Sequence, residues 1–153
     1  MPFEGKPVGT PDAGTFWRMI SEHNVRSFFT APTAFRAIKR EDPDGKYKKK
    51  YDLSCLNVLY LAGKIAAPDA IRWAQYLLNV SVIDHWWQTE TGWTIAGNPL
   101  DIEPLPVTIG SPSVVMPDYD IQILDDTRNP LPPNTLGSIT VKLPLPPSTF
   151  PTL

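Results

Sequence analysis

The apolar positions of the first hundred residues follow two alternating rhythms. In "GTPDAGTFWRMISEHN" (residues 9–24), Phe16, Trp17, Met19 and Ile20 gather on one face, which predicts a helix. Thr10 suits its cap, Pro11 its first position, and Asp12 complements the positive helix end. "VRSFFTAP" (25–32) reads as a short strand stopped by proline. Thr33 to Arg40 then reads as a second helix with Ala34, Ala37 and Ile38 facing inward.

The rhythm repeats. "LNVLYLAG" (56–63) is a nearly continuous apolar run, the signature of a strand buried on both faces. Pro68 opens a third helix with Ile71, Ala74, Leu77 and Leu78 on one side, and "VSVID" (80–84) is the next strand. Helix, strand, helix, strand, helix, strand implies right-handed βαβ units. The expected fold class is α/β, with a mostly parallel sheet covered by helices.

From Thr94 onward the pattern changes to plain alternation. "YDIQILDD" (119–126) places Ile121 and Ile123 on one face, and "LGSITVKLP" (136–144) alternates as well. "TRNPLPPNT" between them has the Asn and Pro chemistry of a turn. A strand pair of a smaller sheet is expected here. Eighteen of the 153 residues are proline, over twice the usual share, and many follow Pro99. The chain therefore divides into an α/β segment (1–98) and a Pro-rich β segment (99–153).

Charge narrows the functional classes. A net charge of −2 gives no electrostatic drive toward nucleic acid or an anionic membrane, and neither is expected as a partner. The one basic cluster, "KYKKKYD" (46–52), reads as a solvated loop. Cys55 is the single cysteine, which excludes an internal disulfide. Its apolar neighbours in "LSCLNVLYL" suggest a buried thiol rather than a nucleophile. No apolar run is long enough to span a bilayer, and residues 1–20 hold no secretory h-region.

Chemistry concentrates where two strands end. In open α/β sheets, ligands collect at the carboxyl ends of the strands. "LAGKI" (61–65) and "DHWWQTETG" (84–92) lie side by side if their strands are parallel neighbours. Gly63 and Gly92 let backbone approach a ligand closely. Trp86 and Trp87 offer flat walls, and Asp84 and Gln88 an acceptor and an amide for a base or ribose edge. Thr89 can donate to a phosphate oxygen, and Glu90 is a hard oxygen ligand for Mg²⁺. Core packing accounts for paired tryptophans equally well on composition alone.

"DHWWQTETG" resembles the motif of the short-chain acetyl- and propionyl-CoA synthetases, a branch of the AMP-forming, adenylate-forming superfamily. "FFTAPTAFRAI", "YDLSCLNVLYLAG", "GSPSVVMPDYDIQILDD" and "GSITVKLPLPP" resemble further segments of that family, in the family's order. The resemblance implies an internal piece of the large AMP-binding domain and a two-step reaction. A short carboxylate attacks the α-phosphate of ATP, releasing pyrophosphate, and the thiol of coenzyme A then displaces AMP. It implies ATP or AMP, Mg²⁺ and coenzyme A as cofactors and co-substrates.

By motif, Thr89 would contact the α-phosphate and Glu90 would ligate Mg²⁺. Asp84, His85, Trp86 and Gln88 would line the adenine site together with Gly63, Lys64 and Ile65. Trp87 would close the acyl pocket and Ala62 would form its side. Acetate-preferring relatives look like they carry valine at the position of Ala62. One methylene is worth ~1–3 kcal/mol in an apolar pocket, so propionate is expected to be favoured over acetate.

Two departures qualify the resemblance. Lys64 stands where the family has glutamate and cannot accept hydrogen bonds; Ile65 replaces a frequent proline. The family's Ser/Thr/Gly-rich phosphate loop, its Tyr-x-Thr-Gly-Asp segment and its catalytic lysine are absent from the 153 residues. "MPFEGKPVGTPD" resembles an internal segment rather than a family start. The isolated chain is therefore expected to be inactive, with exposed strand edges that favour aggregation. A non-catalytic nucleotide-binding or interaction module, or a degenerate remnant, are the alternatives. The expected compartment is the cytoplasm or mitochondrial matrix, not the secretory route.

Overall fold

The computed structural model describes residues 2–63, 67–147 and 149. Its first half is a layer of helices on one face of a three-stranded parallel sheet. Helix α1 spans Thr15–Glu22, strand β1 Ser27–Thr30, helix α2 Pro32–Glu41, strand β2 Val58–Leu61, helix α3 Pro68–Leu78 and strand β3 Ser81–Asp84. The strand order is β1-β2-β3, with both pairs parallel.

Register explains the core. Phe28, Leu59 and Val82 are aligned across the sheet, and two residues on so are Thr30, Leu61 and Asp84. Successive strand residues face opposite ways, so Phe28, Leu59, Leu61 and Val82 share a face. That face joins one cluster with Trp17, Ile20, Ile38, Ile71 and Ala74 from the helices. Phe35 of α2 sits between Trp17 of α1 and Trp73 of α3, with ring centroids 5.8 and 6.2 Å away.

The helix starts differ from the expectation in two cases, α1 and α2. Pro68 opens α3 as expected, whereas α2 begins on Pro32, read from the sequence as a strand stop, one residue before Thr33; each proline follows an extended residue, as its fixed φ favours. But α1 begins at Thr15 rather than near Pro11, with Gly14 at its N-cap. The polar groups ahead of it are used in a preceding turn. Asp12 accepts the Gly14 N–H at 2.7 Å, and the Thr15 hydroxyl donates to the Thr10 and Asp12 carbonyls. In α2 the fully buried side chains are Pro32, Phe35 and Ile38, while Ala34 and Ala37 are half-buried. Leu77 of α3 is half-buried as well. Helix α3 ends on Asn79 in the left-handed region, its N–H donating to the Gln75 carbonyl at 2.8 Å.

Cys55 is half-buried rather than sealed in the core. Its thiol lies 3.6 Å from the Val25 carbonyl and 3.8 Å from that of Ile20. The basic cluster is a short 3-10 turn over Lys48–Lys50, with Lys49 and Lys50 exposed and the Lys50 ammonium 4.5 Å from the Tyr47 ring centre.

Two antiparallel sheets follow. Strands β4 (Trp86–Trp87), β5 (Thr94–Gly97) and β6 (Val114–Val115) form one, in that order. Pattern reading missed this sheet, because its strands are short and a register shift between Trp86 and Trp87 breaks the alternation. β5 and β6 flank the composition shift at residues 98–99 and are hydrogen-bonded across it. Strands β7 (Ile121–Leu124) and β8 (Ser138–Val141) are the expected hairpin pair, with Ile123 opposite Ile139.

Candidate functional site

The two chemistry-bearing strand ends lie side by side because β2 and β3 are parallel neighbours. Leu61 and Asp84 are in register at the end of the ladder. His85 then donates its N–H to the Leu61 carbonyl at 3.0 Å, and Ala62 donates to the Thr30 carbonyl at 3.4 Å. Beyond this point the chain turns into β4, whose Trp86 pairs with Ala96 and Trp87 with Thr94. The motif is thus a ribbon rather than a loose loop for its first four residues.

A cleft of about 520 Å³ opens at this junction, lined by Gly63, Asp84, His85, Trp86, Trp87 and Gln88. Gly110, Pro112 and Ile139 close it from the later segments. Gly63 holds φ +99°, and a Cβ there would meet nothing within 4 Å. Its backbone borders open space, as a residue approached by a ligand should. Asp84, His85 and Trp86 are half-buried; Trp87 and Gln88 are exposed.

The remaining motif residues form a turn. The Thr91 and Gly92 N–H groups both donate to the Gln88 carbonyl, at 3.2 and 3.1 Å. The Thr91 hydroxyl is buried and lies 3.1 Å from the Gln88 carbonyl and 3.2 Å from that of Trp93. Gly92 takes φ +65° to let the chain leave. Thr89 and Glu90 sit on the crown of this turn and are exposed, outside the cleft lining. Thr91 was not singled out as a candidate, yet it ties the turn together; its place after an acid in a Thr-Glu-Thr-Gly run was the available signal.

His85 also faces a second cavity, of about 470 Å³, with Phe29, Tyr60, Trp93, Asp101 and Met116 among its walls. This cavity lies on the sheet face that the helices do not cover. The His85 ring centre is 5.4 Å from that of Phe29 and 5.6 Å from that of Tyr60. Its Nδ1 is buried without a hydrogen-bond partner. Burial holds its pKa below the ordinary imidazole value, against an opposing contribution from the Leu61 backbone. Tyr60 is pushed up by burial and then by the negative charge of Asp101. Asn98 fastens the outer wall, its amide donating to the Leu105 carbonyl at 2.6 Å and accepting the Leu105 N–H at 3.1 Å. No sequence pattern announced this cavity, since its walls come from five separate stretches.

One expected site residue stands apart, and two lie outside the described residues. Ala62 is buried (4% exposed) and lines neither of these two cavities. Lys64 and Ile65 lie outside the described residues. Among the described residues no group of three or more His, Cys, Asp or Glu side chains could hold a metal ion. An exposed Glu90 beside the cleft fits Mg²⁺ of the kind held by one carboxylate and substrate phosphates. It does not fit an all-protein cage. No helix among the described residues is long and apolar enough to cross a membrane.

The arrangement can hold a flat, polar molecule edge-on to Asp84 and Gln88, with phosphate groups reaching toward the 88–92 turn. The family model for "AMP-binding enzyme" matches residues 4–148. The human protein "Acyl-CoA synthetase short-chain family member 3, mitochondrial" is 43% identical over 152 residues, covering 97% of this chain and 22% of that protein. The Escherichia coli "Propionate--CoA ligase" is 39% identical over 152 residues, covering 99% and 24%. The crystal structure of a Brucella canis acyl-CoA synthetase superposes with a TM-score of 0.74 at 29% identity, covering 84% of this chain and 23% of that one. The chain thus spans about a quarter of the length of the curated relatives it matches.

Proposed function

The chain belongs to the AMP-binding enzyme family, and on that premise we propose that it is the adenylate-holding part of an AMP-forming short-chain acyl-CoA synthetase. The observation that carries the reading is the single cleft shared by Gly63 and the 84–88 ribbon. In this reading the base and ribose lie against Gly63, Asp84, His85, Trp86 and Gln88; Lys64 and Ile65 are assigned to the same site by the motif alone. Thr89 donates to the α-phosphate, and Glu90 would hold Mg²⁺. Trp87 and Ala62 bound the acyl group.

The chemistry needs little covalent help from the protein. A carboxylate oxygen bonds to the α-phosphorus of ATP and the bond to the β-phosphate bridging oxygen breaks, releasing pyrophosphate. The thiol of coenzyme A, losing its proton, then bonds to the acyl carbon and the acyl–phosphate bond breaks, releasing AMP. Both steps rest on positioning and on neutralising phosphate charge. Mg²⁺ would supply charge neutralisation; Thr89 and Gln88 would orient the nucleotide. Propionate is the favoured acid, and the cytoplasm or mitochondrial matrix, where ATP and coenzyme A occur, is the proposed compartment. The 153 residues alone bind nucleotide without forming adenylate.

A chimera tests this. The matching segment of the Escherichia coli propionate–CoA ligase is replaced by this chain, and propionyl-AMP formation is followed by pyrophosphate exchange. Exchange that is lost on Glu90→Gln supports the ligase reading. A folded chimera that binds AMP without exchange supports the second reading, a nucleotide-binding module, which Lys64 in the glutamate position favours.

A further inference from the structure

Tyr119 is brought beside the motif by a tight turn. The Met116 N–H donates to the Ile95 carbonyl of β5 at 2.9 Å, which hangs the 116–119 segment on that strand. Tyr119 then donates its N–H to the Met116 carbonyl at 3.2 Å, across Pro117 and Asp118. Asp118 takes φ +70°, a conformation aspartate tolerates in turns. β5 starts at Thr94, directly after the 88–92 turn and Trp93, so one strand start carries both segments.

The Tyr119 side chain is buried (9% exposed), and its phenol oxygen finds no hydrogen bond of good geometry among the described residues. The hydroxyls of Thr91 and Thr149 stand beside it. Burial pushes the Tyr119 pKa up, and those two hydroxyls, Thr91 first, oppose the rise. Both threonines are buried and turn their own protons toward backbone carbonyls. Thr149 donates to Pro146 at 2.7 Å, and Thr91 has the Gln88 and Trp93 carbonyls at 3.1 and 3.2 Å. What each hydroxyl still offers is lone pairs. Tyr119 has one O–H to give, and a buried phenol that gives it to neither forfeits a hydrogen bond.

We propose that Tyr119 is a positioning residue of the 88–92 turn: its phenol O–H donates to the Thr91 hydroxyl when a nucleotide phosphate binds there, and so fixes the turn that carries Thr89. The inference rests on the nucleotide reading above. It goes beyond it by giving a buried residue outside the motif control of the phosphate contact. Tyr119 itself touches no substrate. It acts through Thr91, whose hydroxyl can donate to the Gln88 carbonyl while accepting from the phenol.

Titrations of the full chain with AMP and with adenosine, read by tryptophan fluorescence, test it. Tyr119→Phe removes the O–H and keeps the ring. It should weaken AMP binding about fivefold and leave adenosine binding and Tm as in the parent chain. In a Thr91→Val background the same substitution should have no further effect on AMP, since the O–H has lost its acceptor. Unchanged AMP affinity in Tyr119→Phe, with the parent binding AMP more tightly than adenosine, overturns this inference alone. So does equal weakening of AMP and adenosine, which a general loosening of the fold would give, and so does full additivity with Thr91→Val. A parent chain that binds AMP no better than adenosine overturns the placement of phosphate at this turn, and this inference with it.

Discussion

The His85 amide donates to the Leu61 carbonyl at 3.0 Å, one residue past the Leu61–Asp84 pair that closes the β2–β3 register. The parallel ladder therefore continues into the motif. It holds the start of the tryptophan ribbon against the Ala62–Gly63 backbone and seats the imidazole between the two cavities. The ladder fixes the His85 backbone, and its half-buried ring packs beside Phe29 and Tyr60. His85 titrates where the backbone puts it.

Stability should therefore depend on His85 near neutral pH. Burial depresses its native pKa, so the unfolded chain binds the proton more readily than the native one. The neutral form's contribution is fully present above about pH 6.5, the unfolded value, and is lost as pH falls through the depressed native value. The faces around it are Phe29, Tyr60 and the nearby Asp101. Asp52, Asp69 and Asp125, whose pKa values are lowered from 3.8, act only in a more acidic range. Urea midpoints of the parent should drop between about pH 7 and pH 5.5, and His85→Gln should flatten that drop. Parallel curves would show that His85 is not the group responsible.

Thr91 supplies a second test. Its hydroxyl and N–H converge on the Gln88 carbonyl, and it is the buried member of an otherwise exposed turn. Thr91→Val keeps the volume and removes the hydroxyl. The loss should cost about 1 kcal/mol, at the low end for a buried hydrogen bond, because the Gln88 carbonyl keeps two N–H donors. Thermal unfolding reads that cost. AMP affinity should fall more than stability does, since Thr89 and Glu90 ride on the same turn.

The pattern of apolar positions led directly to the parallel sheet, because strands buried on both faces and helices with one apolar face each leave a distinct rhythm. Val58–Leu61 and Pro68–Leu78 follow it closely. The β4–β5–β6 sheet left no such trace. Trp86–Trp87 and Val114–Val115 are two-residue strands, too short for any period to show. The cleft was half visible for the same reason. Its polar wall is one contiguous ribbon, Asp84 to Gln88, whereas Gly110, Pro112 and Ile139 meet it only through tertiary packing.

The helix layer gives a sharper prediction about folding. Phe35 is fully buried between Trp17 and Trp73 and joins all three helices. Phe35→Ala should cost about 3–5 kcal/mol, much of what a small domain has. Cooperative thermal unfolding should be strongly lowered or lost. Phe29→Ala, on the uncovered face and 54% exposed, should cost far less. Equal effects would mean that the uncovered face is packed in solution.

Ala62 offers the test of acyl preference, and its burial makes the outcome two-sided. It sits at the end of β2 with only 4% of its surface exposed, its amide bonded to the Thr30 carbonyl. Valine there adds two carbons that must occupy either the acyl space or the packed sheet end. If Ala62 borders the acyl group, Ala62→Val in the propionate ligase chimera should lower kcat/KM for propionate roughly tenfold relative to acetate, as one excluded methylene would. Thermal stability should then change little. If the new methyl groups press instead on the sheet, overpacking of about 1–3 kcal/mol should lower Tm and leave the propionate-to-acetate ratio unchanged. Measuring both quantities on one variant separates a pocket wall from a core residue, and an unchanged ratio removes Ala62 from the acyl site.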